Sequence, residues 1–354
     1  MNCRFLAFAI LAWVLFSAAA MNAPAAPPAP EKEASLAAAL ASGLPFRNIG
    51  PALSSGRISD VVMHPRERAT WYVAAGSGGI WKTEDAGSTW SPIFDHENSY
   101  SIGCLAVDPR DPAIVWVGTG ENISGRHVGF GDGVYKSLDD GRTWKNMGLK
   151  TSEHIGRILI DPRDGRVVYV AAEGPLWAPG GERGIFKSVD GGRSWQPSLQ
   201  VSKDTGACDM AMDPNNPDIL YAAAYQRRRS VAAFMAGGPE GGIYKSEDSG
   251  RSWRKLDNGL PRGDVGRIGL AVSPQHPSVV YATIEAAAGE RGFYRSADRG
   301  ESWEKRSDYL SNGTGPHYYQ EIVADPHCFD RVYQNDVWLH VTDDGGRIDR
   351  KSVV

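Results

Sequence analysis

The 354-residue chain carries 38 basic and 42 acidic residues, a net charge of −4, so it lacks the basic surplus that a general nucleic-acid binder needs. Its 42% hydrophobic content can supply a sizeable core. With 41 glycines and 11 tryptophans it reads as a turn-rich, aromatic-packed β protein rather than a helical one.

At the N-terminus Arg4 precedes an apolar run from Phe5 to Phe16, followed by the small residues Ser17 to Ala20. This is the pattern of an export signal over residues 1–20, and the run is too short for a comfortable membrane span. An uncleaved anchor is the alternative. Pro24, Pro27, Pro28 and Pro30 among alanines make residues 21–43 a stiff, non-packing linker. The expected location is therefore secreted, periplasmic or at the cell surface. Cys104, Cys208 and Cys328 remain after cleavage, an odd number expected to be free, buried thiols.

From residue 44 to 349 one octapeptide governs the chain, Ser/Thr-x-Asp-x-Gly-x-x-Trp. It occurs at Thr83–Trp90, Ser137–Trp144, Ser188–Trp195, Ser246–Trp253 and Ser296–Trp303, and a sixth copy begins at Thr342 but has Asp349 in place of Trp. Its aspartates are Asp85, Asp139, Asp190, Asp248, Asp298 and Asp344, spaced by 54, 51, 58, 50 and 46 residues, as four strands and their turns require. A period-two strand precedes each copy, as in Gly79-Ile80-Trp81-Lys82, and further upstream a strand ends at Pro65, Pro109, Pro162, Pro214, Pro274 or Pro326. The fold class is all-β: a β-propeller of about six four-stranded blades, each read as strand A, proline turn, strand B, variable loop, strand C, octapeptide turn and strand D starting at the Trp. The Asp accepts backbone N–H bonds within its turn and the Trp locks the hairpin against a neighbour, so these aspartates are structural. The sixth repeat lacks its Trp and an outer strand, so the chain is expected to be a piece of a longer protein, with residues 350–354 a tail; the alternative is that an N-terminal strand near Phe46–Ile49 completes the last blade.

Strand parity puts the proline and octapeptide turns on one face and the variable loops on the other, where binding is expected. Five residues before each proline stand Asp60, Cys104, Arg157, Asp209, Gly269 and Glu321, in strands otherwise apolar. Toward the loop face follow Arg57, His154, Arg267, His317, Tyr318 and Tyr319, with Glu121, Arg126, His127, Asp132 and Arg183 in the loops. Arg227-Arg228-Arg229 reads as a solvated basic run. The central channel then offers arginines, carboxylates and aromatics to anionic or sugar ligands; the competing reading is charges that pair around water. No phosphate loop, dinucleotide fingerprint, nucleophile elbow or metal-ligand spacing occurs, so no cofactor or metal is expected.

The octapeptides, with Phe46-Arg47-Asn48-Ile49-Gly50-Pro51, Ser55-Gly56-Arg57-Ile58, Gly118-Thr119-Gly120-Glu121-Asn122 and Gly131 to Ser137, make the chain resemble the Asp-box (bacterial neuraminidase repeat) propellers. That superfamily includes sialidases, xyloglucan-hydrolysing endoglucanases and the sortilin ectodomain, and the resemblance extends to large secreted bacterial proteins labelled glycosyl hydrolase or sortilin-like. It implies a monomeric propeller that binds glycan or peptide through its channel and loop face, a glycoside hydrolase, or a protein-interaction scaffold. A sialidase likeness implies an arginine set, for which Arg57, Arg157 and Arg267 stand, with Tyr319 beside Glu321. A glycosidase needs two carboxylates about 5 Å or about 6.5–9.5 Å apart, and Asp60, Asp209 and Glu321 are the candidates. Gly76 stands where xyloglucanase relatives carry one catalytic Asp, and their second acid comes from a second propeller.

Overall fold

The computed structural model describes residues 57–125, 128–308, 320–335 and 339–347, together with the backbone of residues 350–351. The expected signal and linker, and the sequence from Phe46 to Pro51, lie outside the described residues.

Six antiparallel four-stranded sheets follow one another along the chain as the blades of a β-propeller. Blade 1 is β1 (Ile58–Met63), β2 (Trp71–Ala75), β3 (Gly79–Thr83) and β4 (Ser91–Pro92). Blade 2 is β5 (Ile102–Val107), β6 (Val115–Thr119), β7 (Val134–Ser137) and β8 (Lys145–Asn146). Blade 3 is β9 (Ile155–Ile160), β10 (Val168–Ala172), β11 (Gly184–Ser188) and β12 (Gln196–Leu199). Blade 4 has β13 (Thr205–Met212), the long β14 (Leu220–Arg229), β15 (Phe234–Ala236), β16 (Gly242–Ser246) and β17 (Arg254–Lys255), with β15 pairing only the tip of β14. Blade 5 is β18 (Ile268–Val272), β19 (Val280–Ile284), β20 (Gly292–Ser296) and β21 (Glu304–Ser307). Blade 6 is β22 (Glu321–Ala324), β23 (Val332–Asn335), β24 (Leu339–Thr342) and β25 (Arg350–Lys351). The sixth blade thus has the outer strand that its sequence did not announce: β25 pairs with His340 and Val341 of β24. In blades 1 to 5 the outer strand starts one residue after its Trp rather than on it.

The core lies between blades, not within them. Tyr72, Ile80 and Phe94 of blade 1 pack with Leu105, Val117 and Tyr135 of blade 2, and the same construction repeats at the four following interfaces. Trp144 donates its indole N–H to Ile93 O (2.7 Å) and Trp195 to Met147 O (2.8 Å), each reaching back to the preceding blade. Burying a large apolar ring and satisfying its one donor in the same contact is what makes Trp suited to this position.

The octapeptide turn shows the expected bonds. In blade 2 Ser137 Oγ donates to Asp139 Oδ1 (2.7 Å) and accepts from Gly141 N (2.9 Å), while Asp139 accepts both the N–H and the hydroxyl of Thr143. Donors converging in this way hold the carboxyls of Asp85, Asp139, Asp190 and Asp248 down at about 2. The sixth turn keeps this bonding without its Trp, with Thr342 Oγ1 donating to Asp344 Oδ1 (2.9 Å). The residue after each Asp is left-handed as well as the Gly that follows it, including Asp140 (φ 62°) and Gly141 (φ 85°). Of the cysteines, Cys104 and Cys208 are buried and free as expected, but Cys328 is exposed on the β22–β23 turn.

Inner strands of adjacent blades approach by two devices. At Gly103, Gly156 and Gly269 a Cβ would lie 2.1, 2.3 and 2.2 Å from the carbonyl oxygens of Ile155, Cys208 and Gln320 in the next blade. At the other two interfaces a carboxylate forms the link. Asp60 accepts from Val61 N and from Leu105 N (2.9 Å) of blade 2, and Asp209 from Met210 N and from Leu270 N (2.8 Å) of blade 5. Gly156→Ala should therefore lower the denaturant midpoint by the equivalent of about 1–3 kcal/mol, measured by tryptophan fluorescence, because a backbone carbonyl cannot move aside as a side chain can.

Candidate functional site

The polar positions five residues before each proline do converge. Arg157 donates Nε–H to Asp209 Oδ1 (2.9 Å) and lies 3.8 Å from Glu321 Oε1. Burial alone would weaken its hold on the proton, but Asp209, Glu321 and Asp60 outweigh it and keep the guanidinium charged well above its ordinary range. Burial also raises Asp60, against the pull of Arg157 and its two backbone donors. Glu321 is raised by burial to about 7, with Arg157 opposing and Asp60 and Asp209 adding to the shift. Buried Cys104, in the same ring, is pushed up by burial and by Asp60. One cation thus stands among three carboxyls, and Glu321 is the one that can keep a proton near neutral pH.

The three arginines proposed as a set are each committed elsewhere. Arg57 grips buried Glu121 through two bonds of 2.6 Å, Arg157 holds Asp209, and Arg267 meets Glu173 at 3.3 Å. Tyr319, His317, Tyr318, Arg126 and His127 lie outside the described residues.

Above the ring, residues 121–124 of the β6–β7 loop cross the loop-face mouth of the channel. Glu121 takes the Arg57 fork from blade 1, and its carbonyl meets His154 Nδ1 (2.8 Å) from blade 3. A carbonyl only accepts, so Nδ1 carries the His154 proton; burial, then Arg227, pushes its pKa well down and keeps the ring neutral. Asn122 Nδ2 donates to Gly156 O (3.4 Å) and to Glu321 Oε1 (3.5 Å) of blade 6. Ile123 O and Ser124 O accept from Arg227 Nη1 (2.9 Å) and Arg229 Nε (2.7 Å) of blade 4. A four-residue segment can touch blades 1, 3, 4 and 6 together only by lying over the axis. Gly120 lets it start there, at φ 82°, where a Cβ would fall 1.7 Å from Glu153 O.

This corrects the reading of Arg227-Arg228-Arg229 as a solvated run. The three lie in the extension of β14 held by β15, so they alternate. Arg227 is fully buried and pairs with Glu173 (2.5 Å), Arg229 is buried, and only Arg228 turns outward, to Asp204 (3.1 Å). Continuing the period-two pattern Tyr225, Arg227, Arg229 past the apolar strand is the signal that finds them. Arg183 is a clamp for its own loop, donating to the carbonyls of Glu173 (2.7 Å), Ala178 (2.8 Å), Gly180 (2.8 Å) and Pro175. Asp132 is likewise internal, accepting from Tyr135 OH (2.7 Å).

Around the mouth crossed by residues 121–124 the connections expose aromatic rings: Tyr100 before β5, Phe130 in the β6–β7 loop, Trp177 in the β10–β11 loop and Phe234 on β15. Their exposures are 66%, 70%, 49% and 36%. The Arg229 guanidinium lies 3.8 Å from the Phe234 ring centroid and fixes that ring.

The raised Glu321 has a testable sign. The unfolded carboxyl releases its proton near 4.5 and the folded one near 7, so the fold binds more protons between these values and loses stability as pH rises across them. Glu321→Gln should flatten that part of the curve. The difference in denaturant midpoint between variant and parent should grow from pH about 4.5 to about 7 and level off above.

The family model described as Sortilin, neurotensin receptor 3, matches residues 132–260. Xyloglucanase Xgh74A of Acetivibrio thermocellus is 24% identical over 252 residues, covering 62% of this chain and 27% of that protein. A xyloglucanase of a Paenibacillus species is 25% identical over 281 residues, covering 67% and 26%. The chain therefore spans about a quarter of the length of these curated relatives. Among solved structures, the GH74 enzyme of Niastella koreensis superposes with a TM-score of 0.60 at 19% identity, over 81% of this chain and 45% of that one. YCF48 bound to D1 peptide superposes with 0.54 at 14% identity, over 85% and 83%. Six blades and these matches make the chain a β-propeller related to the propellers of the xyloglucanases.

Proposed function

We propose that the protein binds glycan on its loop face, across the aromatic rim of the channel rather than down the channel. The observation that carries this reading is the placement of Tyr100, Phe130, Trp177 and Phe234, all exposed on connections of one face around a mouth occupied by residues 121–124. Flat aromatic surfaces suit the apolar faces of sugar rings, and Asp204 with Arg228 supplies charge beside the rim. The xyloglucanase relatives support a β-glucan chain as the ligand class. An exported location fits this reading and rests on the sequence of residues 1–20; cell fractionation checks it.

A second reading, hydrolysis, is favoured by one observation: Glu321, whose carboxyl can hold a proton near neutral pH beside Asp60 and Asp209. Against it, Asp60 and Asp209 each accept a backbone N–H of their own strand on one oxygen and one of the neighbouring blade on the other, which ties both carboxylates into the contact between blades.

Affinity electrophoresis and calorimetry with xyloglucan, mixed-linkage β-glucan and their oligosaccharides test both. Binding without release of reducing ends is expected, weakened about tenfold by Trp177→Ala. No affinity for any of these glycans would remove the first reading. Reducing-end release that Glu321→Gln abolishes in a folded protein would establish the second.

A further inference from the structure

In blades 1 to 5 the octapeptide turn follows a cationic residue, and in most of these blades that cation meets a carboxylate. Lys82 of blade 1 lies 2.7 Å from Glu84 in its own turn and 2.5 Å from Asp140 in the next. Lys245 of blade 4 lies 2.9 Å from Glu247 and 2.7 Å from Glu301, and Arg295 of blade 5 lies 3.1 Å from Asp330. Lys187 of blade 3 bonds the carbonyl of Ser249, but the Ser249 hydroxyl holds Asp218 at 2.5 Å, so a carboxylate still stands close by.

Blade 2 breaks the pattern. Leu138 occupies the position of Glu84 and Gly191 that of Asp140. Among the described residues Lys136 therefore makes no ion pair: it bonds the Gly191 carbonyl, at 3.3 Å, and lies over the face of Trp116, at 4.6 Å, with the Asp108 carboxylate acting on it only from a distance. The missing side chains leave a groove of about 480 Å³ between the outer hairpin of blade 2 and the turns of blade 3. Lys145, Arg166 and Arg193 line it with Lys136. Among the described residues, only Arg166 of these four is paired, with Asp164 at 2.8 Å. Asp190 also lines the groove, but its carboxylate is taken by Ser188 and Ser194. The remaining wall is aliphatic: Leu138 and Val189 are 67% and 61% exposed, and Met147 lies between them and the blade core.

We infer that this groove on the turn face is a docking site for an acidic peptide segment, its carboxylates on Lys136, Lys145 and Arg193 and one aliphatic side chain against Leu138, Val189 and Met147. Charge complementarity selects an anionic partner. The aliphatic wall, with no exposed ring to stack a sugar, selects peptide over anionic glycan. The site lies on the face opposite the aromatic rim and stands independently of glycan binding there.

The repeat itself supplies the test. Gly191→Asp rebuilds the Lys82–Asp140 arrangement and fits the backbone, since Gly191 (φ 75°) shares the left-handed conformation that Asp140 (φ 62°) adopts. Leu138→Glu rebuilds the Glu84 contact on an exposed position. Fluorescence polarisation with a labelled Asp-Glu-Leu-Glu-Asp peptide should show binding to the parent protein that weakens as salt rises. Either variant should weaken it at least about tenfold, with unfolding midpoints at or above the parent's. A Lys-Lys-Leu-Lys-Lys peptide should not bind. Equal affinity of both variants and the parent would overturn the proposal. So would tighter binding of oligogalacturonate than of the acidic peptide, or no saturable binding of the acidic peptide at low salt.

Discussion

Near the axis, a backbone carbonyl of one blade occupies the space in which a side chain of its neighbour would begin. Gly103, Gly156 and Gly269 accommodate this at three interfaces, and Asp60 and Asp209 bridge the other two through backbone N–H groups. The inner strands are thereby drawn together around a narrow channel, which forces the next residues into mutual contact. Arg157 must sit among Asp60, Asp209 and Glu321, and burial there, with carboxyls outnumbering the cation, raises Glu321 to about 7. The apolar clusters lie farther out, and each needs two blades to form. Charge at the centre and apolar surface between blades are two consequences of the same close approach.

Much of this was legible in the sequence because a repeat makes the chain its own alignment. The octapeptides set blade number and turn chemistry, and counting back from the prolines found the ring of Asp60, Cys104, Arg157, Asp209 and Glu321. What counting could not find is how each carboxylate is used. Asp60 and Asp209 read as candidate acids, yet each spends its oxygens on amides of two blades, a contact with no sequence signature beyond the position itself. The loops were harder still. Residues 121–124 contain nothing that announces burial, and the arginines that fix them were misread because a variable loop was assumed where β14 simply continues. The outer strand of blade 6 was missed for the opposite reason: the Trp that flags it elsewhere is absent, while the Thr342–Asp344 turn that forms it remains.

The crossed mouth divides the molecule's chemistry between its faces. On the loop face, the interior charges are matched by Glu121, Glu173 and their arginines, and four aromatic rings stand exposed beside the Arg228–Asp204 pair. On the turn face, the cations before the octapeptides pair with carboxylates in blades 1, 4 and 5, whereas in blade 2 Leu138 and Gly191 withdraw the carboxylates. Departures from a repeat are as informative as the repeat, because every other blade shows what a purely structural version of the same position looks like.

The segment across the mouth also has a history in time. Its contact with Arg227 closes a loop of 104 residues from Ile123, and that of Asn122 with Glu321 spans 199. Blades that pack only on their neighbours can assemble in order as the chain emerges, but this segment has no complete seat until blades 4 and 6 exist. During synthesis Glu121 can meet Arg57 and His154 once blade 3 has begun, but Ile123 and Ser124 must wait for blade 4 and Asn122 for Glu321 of blade 6. The full set of contacts of this segment needs blades from both halves of the chain, and it ties the sheets across their common centre as well as side by side.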